Sequence, residues 1–146
     1  MATIVERTVN VASEPQTLWG LLVNPGSWKT WWKECVDAQT EDTRTLREGS
    51  QIELVLNPRH RKLTFRPHVD MMTEGRTLSL TQITPWLKAT VVWTISEGPT
   101  GARISVRGVF TGFQVWVMGL FGKTLVFQTT LYSNLRGLKK LAEKMV

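Results

Sequence analysis

The stretch Val9-Asn10-Val11-Ala12-Ser13-Glu14-Pro15-Gln16, running on through Leu18-Trp19-Gly20-Leu21-Leu22 to Asn24-Pro25-Gly26-Ser27-Trp28, is where the chain changes from one periodicity to another. Upstream, residues Thr3 to Val11 put Val5, Val9 and Val11 on one side and Glu6, Thr8 and Asn10 on the other, the period of two of a half-buried strand. Arg7 interrupts the apolar side. A serine in N-cap position at Ser13, an early proline at Pro15 and Gln16 three residues after the cap then predict a helix. Its apolar stripe is Leu18, Trp19, Leu21 and Leu22. Asn24-Pro25-Gly26 ends it, Ser27 stands ready to cap a second helix, and Trp28, Trp31 and Trp32 recur at i, i+3 and i+4 on one face. A strand followed by two short helices is the predicted opening.

Working outward, a short strand is expected near Glu34 to Thr43, and from Ser50 the period of two takes over. Ile52, Leu54 and Leu56 form one apolar row; Leu63, Phe65 and Val69 form another, in which Pro67 predicts an edge strand or a bulge. Leu78 with Leu80, Ala89-Val91-Trp93-Ile95 and Ile104-Val106-Gly108-Phe110 continue the pattern. Turn signals at Asn57-Pro58, Glu74-Gly75 and Gly98-Pro99-Thr100-Gly101 suit an antiparallel meander with one wet face. At the end, Leu131, Leu135, Leu138, Ala142 and Met145 mark the buried stripe of a long helix whose other faces carry Arg136, Lys139, Lys140 and Lys144. Gly137 in its middle costs about 1 kcal/mol relative to alanine and points to close approach of the helix to the sheet.

At 146 residues with 42% hydrophobic and 21% charged, the chain fits one globular domain over residues 1–146, large enough to be stable on its core alone. Cys35 is the only cysteine, and His60 and His68 are the only histidines, so a disulfide framework and a sulfur-rich zinc cluster are excluded. The N-terminus does not read as a secretory signal, which places the protein in the cytoplasm, and the longest apolar stretch, Phe113 to Phe121, is far short of the roughly 20 residues needed to cross a bilayer. A net charge of +6 raises the prospect of polyanionic partners.

In order and spacing these motifs resemble the START-like, helix-grip superfamily, also called SRPBCC, and most of all its bacterial polyketide cyclase/dehydrase branch. The resemblance is carried by Val9 to Pro15 running into Leu18-Trp19-Gly20-Leu21-Leu22, by Asn24-Pro25-Gly26-Ser27-Trp28 with Trp31 and Trp32, and by the ending Ser133-Asn134-Leu135-Arg136-Gly137-Leu138-Lys139-Lys140-Leu141-Ala142-Glu143. It implies an α+β fold in which a curved antiparallel sheet grips the C-terminal helix around a cavity for an apolar small molecule. It leaves the ligand open, since the superfamily includes lipid carriers, aromatic polyketide cyclases, hormone receptors and chaperone co-activators.

Seven tryptophans in one chain supply large apolar area with a single N–H donor each, a chemistry suited to flat or hydrophobic ligands. Parity turns Trp93 and Phe110 towards the helix, with Leu54, Phe65 and Leu80 on the apolar rows of their own strands, and Gly108 is expected to leave space among them. By the resemblance, Trp32, Trp86, Phe113, Trp116 and Phe121 ring the cavity mouth. The glycine-punctuated apolar run Gly112 to Gly122 reads either as a mobile lid or as the bent start of the long helix. Phe121, Leu125, Gln128 and Tyr132 recur on one helical stripe, where Gln128 and Tyr132 would orient a ligand's polar end. The expected core reading competes with this one throughout, most strongly at Trp19 and Trp28.

A catalytic set is harder to find. His68 with Asp70 or Arg66 is the nearest to an acid/base group, but all three alternate with apolar residues and face solvent unless a bulge at Pro67 reverses the register. Cys35 reads as a small buried hydrophobe. The basic run Arg59-His60-Arg61-Lys62, with Arg66, Arg103 and Arg107, lacks aromatics on the same face, so nucleic acid is not the expected partner; transient contact with an anionic membrane surface explains it as well. The expected function is binding or transport of a hydrophobic small molecule such as a lipid, an isoprenoid or an aromatic polyketide, with no cofactor and no metal. The alternatives are a polyketide cyclase/dehydrase-type enzyme and a protein-interaction module, and the sequence is silent on oligomeric state.

Overall fold

A computed structural model describes residues 2–40, 45–57, 62–85, 87–112 and 125–145, apart from the side chains of Ala2 and of residues 125–129. The predicted opening is present. Strand β1 (Ala2–Val11) leads into helix α1 (Pro15–Leu22), a 3-10 turn (Pro25–Ser27) and helix α2 (Trp28–Trp31). Strands β2 (Cys35–Thr40), β3 (Ile52–Leu56), β4 (Leu63–Phe65), β5 (His68–Thr73), β6 (Thr77–Ile83), β7 (Lys88–Gly98) and β8 (Gly101–Thr111) follow, and helix α3 (Leu125–Lys144) comes last. The architecture is α+β, an antiparallel sheet structure packed around a long C-terminal helix.

The caps differ from the sequence reading. Helix α1 starts one residue later than predicted, with Glu14 at its N-cap and no side-chain cap bond, because Ser13 is drawn into the interior, where its hydroxyl has no partner. Ser27 does not cap α2; its hydroxyl instead donates to the carbonyls of Leu21 and Asn24, each at 2.8 Å. The capping role falls to Asn24, whose side chain accepts from the Gly26 amide at 3.2 Å at the start of the 3-10 turn.

The strands form two sheets rather than one continuous layer, a five-stranded sheet in the order β1-β8-β7-β6-β5 and a three-stranded sheet in the order β2-β3-β4. Pro67 is the reason. It has no N–H to continue a ladder, so the apolar row Leu63, Phe65, Val69 is cut in two: β4 pairs with β3 and β5 pairs with β6. The Pro67 carbonyl accepts from Ile52, the Val69 amide donates to Ser50, both at 2.9 Å, and a Gln51–His68 bridge joins the sheets at this corner. The bulge foreseen at Pro67 lies instead beyond Val69, where the register with β6 skips Asp70. That skip returns Met72 to the inner face, packed on the core, and leaves Met71 outside.

Within the large sheet β1 pairs with β8 along its whole length, from Ala2↔Thr111 to Val11↔Ala102. The β7–β8 hairpin closes at Gly101, whose φ of +134° and close approach to the Ser13 backbone both demand glycine. On α3, Leu131, Leu135, Leu138 and Ala142 are buried as predicted, but Met145 is 58% exposed because the helix has ended at Lys144. Gly137 does mark a close approach, though to α2 and not to the sheet: a Cβ there would collide with the Trp31 carbonyl oxygen. Near its end α3 is fastened to the β1–α1 connection by Glu143, which accepts from the Ala12 amide at 2.9 Å and pairs with Lys139 at 2.7 Å.

Candidate functional site

The inner face of the large sheet is built of rows that run across the strands. Register places Met72, Leu78, Trp93, Val106 and Arg7 in one row and Val69, Leu80, Val91, Gly108 and Val5 in the next. A third row holds Gln82, Ala89, Phe110 and Thr3. The middle of the sheet is not evenly covered. Trp93 and Ile95 on β7 are buried, yet Ala89 and Val91, which face the same way on the same strand, are only half-buried. Strand β7 has neighbours on both sides, so this exposure does not come from a sheet edge. Both residues pack partly buried against the core cluster beside Gly108, and half-buried Phe65 does the same.

Gly108 itself does not provide the space. A Cβ at that position would lie 2.7 Å from both Leu131 Cδ1 and the Phe110 ring, so the gap left by the glycine is occupied by those two side chains. Gly108 is better described as the seat on which α3 rests through Leu131, with Phe110 folded over it.

Beyond Val91 the interior is aromatic. Trp28, Trp31 and Trp32 meet Trp93 in one cluster: ring centroids lie 5.9 Å apart for Trp28 and Trp32, 6.1 Å for the stacked pair Trp31 and Trp32, and 6.4 Å for Trp93 with either Trp28 or Trp32. All four are buried. Two of the indoles are anchored, Trp28 Nε1 donating to the Leu22 carbonyl at 2.9 Å and Trp31 Nε1 to Ser27 Oγ at 3.2 Å. The other two, Trp32 and Trp93, have buried N–H groups with no partner. Asn134 on α3 is fully buried, and both its carboxamide atoms are also without partners.

Of the residues the sequence singled out, Trp32, Leu54, Leu80, Trp93, Gly108 and Phe110 are buried in this interior, and Phe65 and Tyr132 pack against it half-buried. Leu54 and Phe65 are register partners on β3 and β4. Leu125 and Gln128 lie on α3, but their side chains fall outside the described set, as do Trp86, Phe113, Trp116 and Phe121 and the Gly112 to Gly122 lid reading beyond Gly112. Sequence reasoning passed over two groups. Arg7, noted only as a break in an apolar row, sits with its guanidinium carbon 4.6 Å from the centre of the Tyr132 ring, a cation–π contact between β1 and α3. Asn134 occupies i+3 of the stripe that begins at Leu131, a position whose spacing alone marks it as inward.

The other candidate chemistries dissolve in the geometry. Arg66 and Asp70 are exposed and His68 is half-buried at the corner of the two sheets, outside the aromatic cluster. Arg107 pairs with Glu6 at 3.6 Å and Arg103 donates to Asn10 at 3.2 Å, so these cations serve cross-strand contacts with β1 on the outer face. Residues 59–61 lie outside the described set. Burial, reinforced by the Asp37 charge, pushes the Cys35 thiol up to about 11, which keeps it protonated and unreactive at neutral pH. Among the described residues no group of histidine, cysteine and carboxylate side chains is arranged to hold a metal ion, and no helix is long and apolar enough to cross a membrane.

Residues 2–143 match the family described as polyketide cyclase / dehydrase and lipid transport. The chain belongs to that family. Its fold is shared by a START superfamily protein from Mycobacterium smegmatis, 18% identical with a TM-score of 0.78 over 98% of this chain and 99% of that one. The di-domain ARO/CYC StfQ from the steffimycin biosynthetic pathway is 16% identical with a TM-score of 0.76, over 99% of this chain and 52% of its own. Major latex-like protein 151 from Panax ginseng reaches a TM-score of 0.79 at 7% identity, over 97% of both chains. At such identities the likeness shows the START-like fold alone. No curated protein sequence is similar enough to this chain to count as a match. The family's description spans hydrophobic-ligand carriage and cyclase chemistry, and the interior described above is compatible with either.

Proposed function

We infer that the chain binds a hydrophobic small molecule, such as a lipid, an isoprenoid or an aromatic polyketide, in the recess between the inner face of the large sheet and α3. The observation that carries this reading is the incomplete cover over Ala89 and Val91. Apolar side chains in the middle of a sheet are ordinarily buried by the layer packed on them; here a strip of inner face remains accessible beside a wall of tryptophans. Burial of an apolar ligand there gains about 25 cal/mol per Å² removed from water, without a catalytic group being required.

Native mass spectrometry of gently purified protein tests the reading. The expected result is a discrete added mass that is lost on denaturation and extracts into organic solvent. Bare protein that also fails to take up added hydrophobic molecules would contradict it.

One observation favours the cyclase/dehydrase alternative, namely the Arg7–Tyr132 pair. The Arg7 guanidinium over the ring face fixes Tyr132 between sheet and helix, and a phenol held there can donate a proton to the carbonyl of an enolisable chain. Under that reading Tyr132→Phe abolishes turnover while ligand uptake persists; under the carrier reading Tyr132→Phe and the wild type take up ligand alike and neither turns it over.

A further inference from the structure

The aromatic wall of the recess has an unusual polar content. Trp32 and Trp93 are 4% and 1% exposed, touch at 6.4 Å in an edge-to-face arrangement, and neither indole N–H has an acceptor. An indole edge over a neighbouring ring recovers only a fraction of a hydrogen bond. Asn134 adds a buried carboxamide with neither atom bonded. It lies one turn before Gly137, on the face of α3 that presses against the helix carrying Trp31. Buried polar groups are almost always paired; here two unpartnered donors are in ring contact, and a third unpartnered group lies on α3, whose Gly137 packs on the Trp31 backbone.

The chemistry of an acceptor that would suit them can be narrowed. Two N–H donors require an oxygen with lone pairs, and the carboxamide can add a donor or accept a hydrogen bond. The buried polar residues among those described are Ser13, Ser79, Thr81 and Asn134, none of them charged. A carboxylate brought to this place would lose its hydration against neutral donors only, which is costly. The cation on the inner face of β1, Arg7, is exposed and engaged with the Tyr132 ring.

We propose that Trp32, Trp93 and Asn134 form a recognition subsite for an uncharged carbonyl oxygen, that of a ketone or quinone, on the buried end of a flat apolar ligand. This rests on the binding reading given above and sharpens it: the preferred ligand carries its oxygen inward and is not an ionised fatty acid. The alternative occupant of the subsite is a retained water, which would satisfy the same groups and leave the ligand unread.

The test uses three probes of one shape in equilibrium dialysis at pH 8: 2-acetylnaphthalene, 2-isopropylnaphthalene and 2-naphthoate. The wild-type protein is expected to prefer the ketone over the hydrocarbon by roughly fivefold or more, the worth of one or two buried hydrogen bonds, and to bind the carboxylate most weakly. Trp93→Phe and Trp32→Phe each reduce the ketone preference towards unity while hydrocarbon binding holds. Asn134→Leu, which replaces both unpartnered atoms by methyl groups on the same branched skeleton, lowers the ketone preference and raises Tm in the absence of probe, so a fold defect and a recognition defect read differently. Equal binding of ketone and hydrocarbon, the outcome with a retained water, overturns the subsite and leaves the binding reading intact. Tightest binding of the carboxylate also overturns it. Binding of no probe removes both the subsite and the reading beneath it.

Discussion

At Gly137 two effects of opposite sign compete. Alanine would recover about 1 kcal/mol of helix propensity at an internal glycine. Against that, the added methyl would overlap the Trp31 carbonyl oxygen, a backbone atom that cannot swing aside, and forced overpacking of this kind costs about 1–3 kcal/mol or more. The clash wins, so Gly137→Ala is expected to lower stability by about 1–2 kcal/mol net, read from the midpoint of urea unfolding; a variant more stable than the wild type would show that α2 and α3 do not meet here. The glycine's tightness was legible in the sequence because an internal glycine stands out in a strong helical pattern. Its partner was not, since periodicity ranks faces of one helix and says nothing about which neighbour covers them. Spacing likewise marks Asn134 as inward, but whether its carboxamide finds partners is set by the neighbours around it.

The long helix α3 is held at two places by different physics. In its middle it rests on Gly108 through Leu131; near its end Glu143 bonds to Lys139 and to the Ala12 amide. The Lys139 ammonium, with the Ala12 amide, holds the Glu143 carboxyl below the ordinary carboxylate range. A carboxyl lowered in the folded state contributes stability that is present above its unfolded value, about 4.3, and is lost as the pH falls through the folded value. Glu143→Gln is therefore expected to be less stable than the wild type at pH 7, with the difference closing in acid. A difference that stayed constant down to pH 2 would show the clasp to be uncharged in effect. The alternation of β8 and the stripe Leu131, Leu135, Leu138 and Ala142 were plain from period alone, because each buries one side, whereas β6 buries Leu78, Ser79, Leu80 and Thr81 in a row. The division of β4 from β5 was not, since Pro67 announces an interruption without saying whether the chain bulges within a sheet or leaves it.

For the whole molecule, the family and the helix-grip architecture follow from the order of these elements, while the site does not. The sequence located the aromatic residues and the rows that carry them, yet it assigned open space to Gly108, where Leu131 and Phe110 have closed it, and the half-buried strip lies one position across, at Val91 and Ala89. Cover is a property of what packs from elsewhere, and no strand pattern contains it. The central claim is that an apolar ligand sits in that strip between sheet and helix. Intermolecular NOEs from 2-acetylnaphthalene to protein labelled at its leucine, isoleucine and valine methyls test it most directly. The account predicts contacts to Val91, Leu80 and Leu131; contacts confined to the exposed methyls of Ile4, Val36 and Ile83 would contradict it.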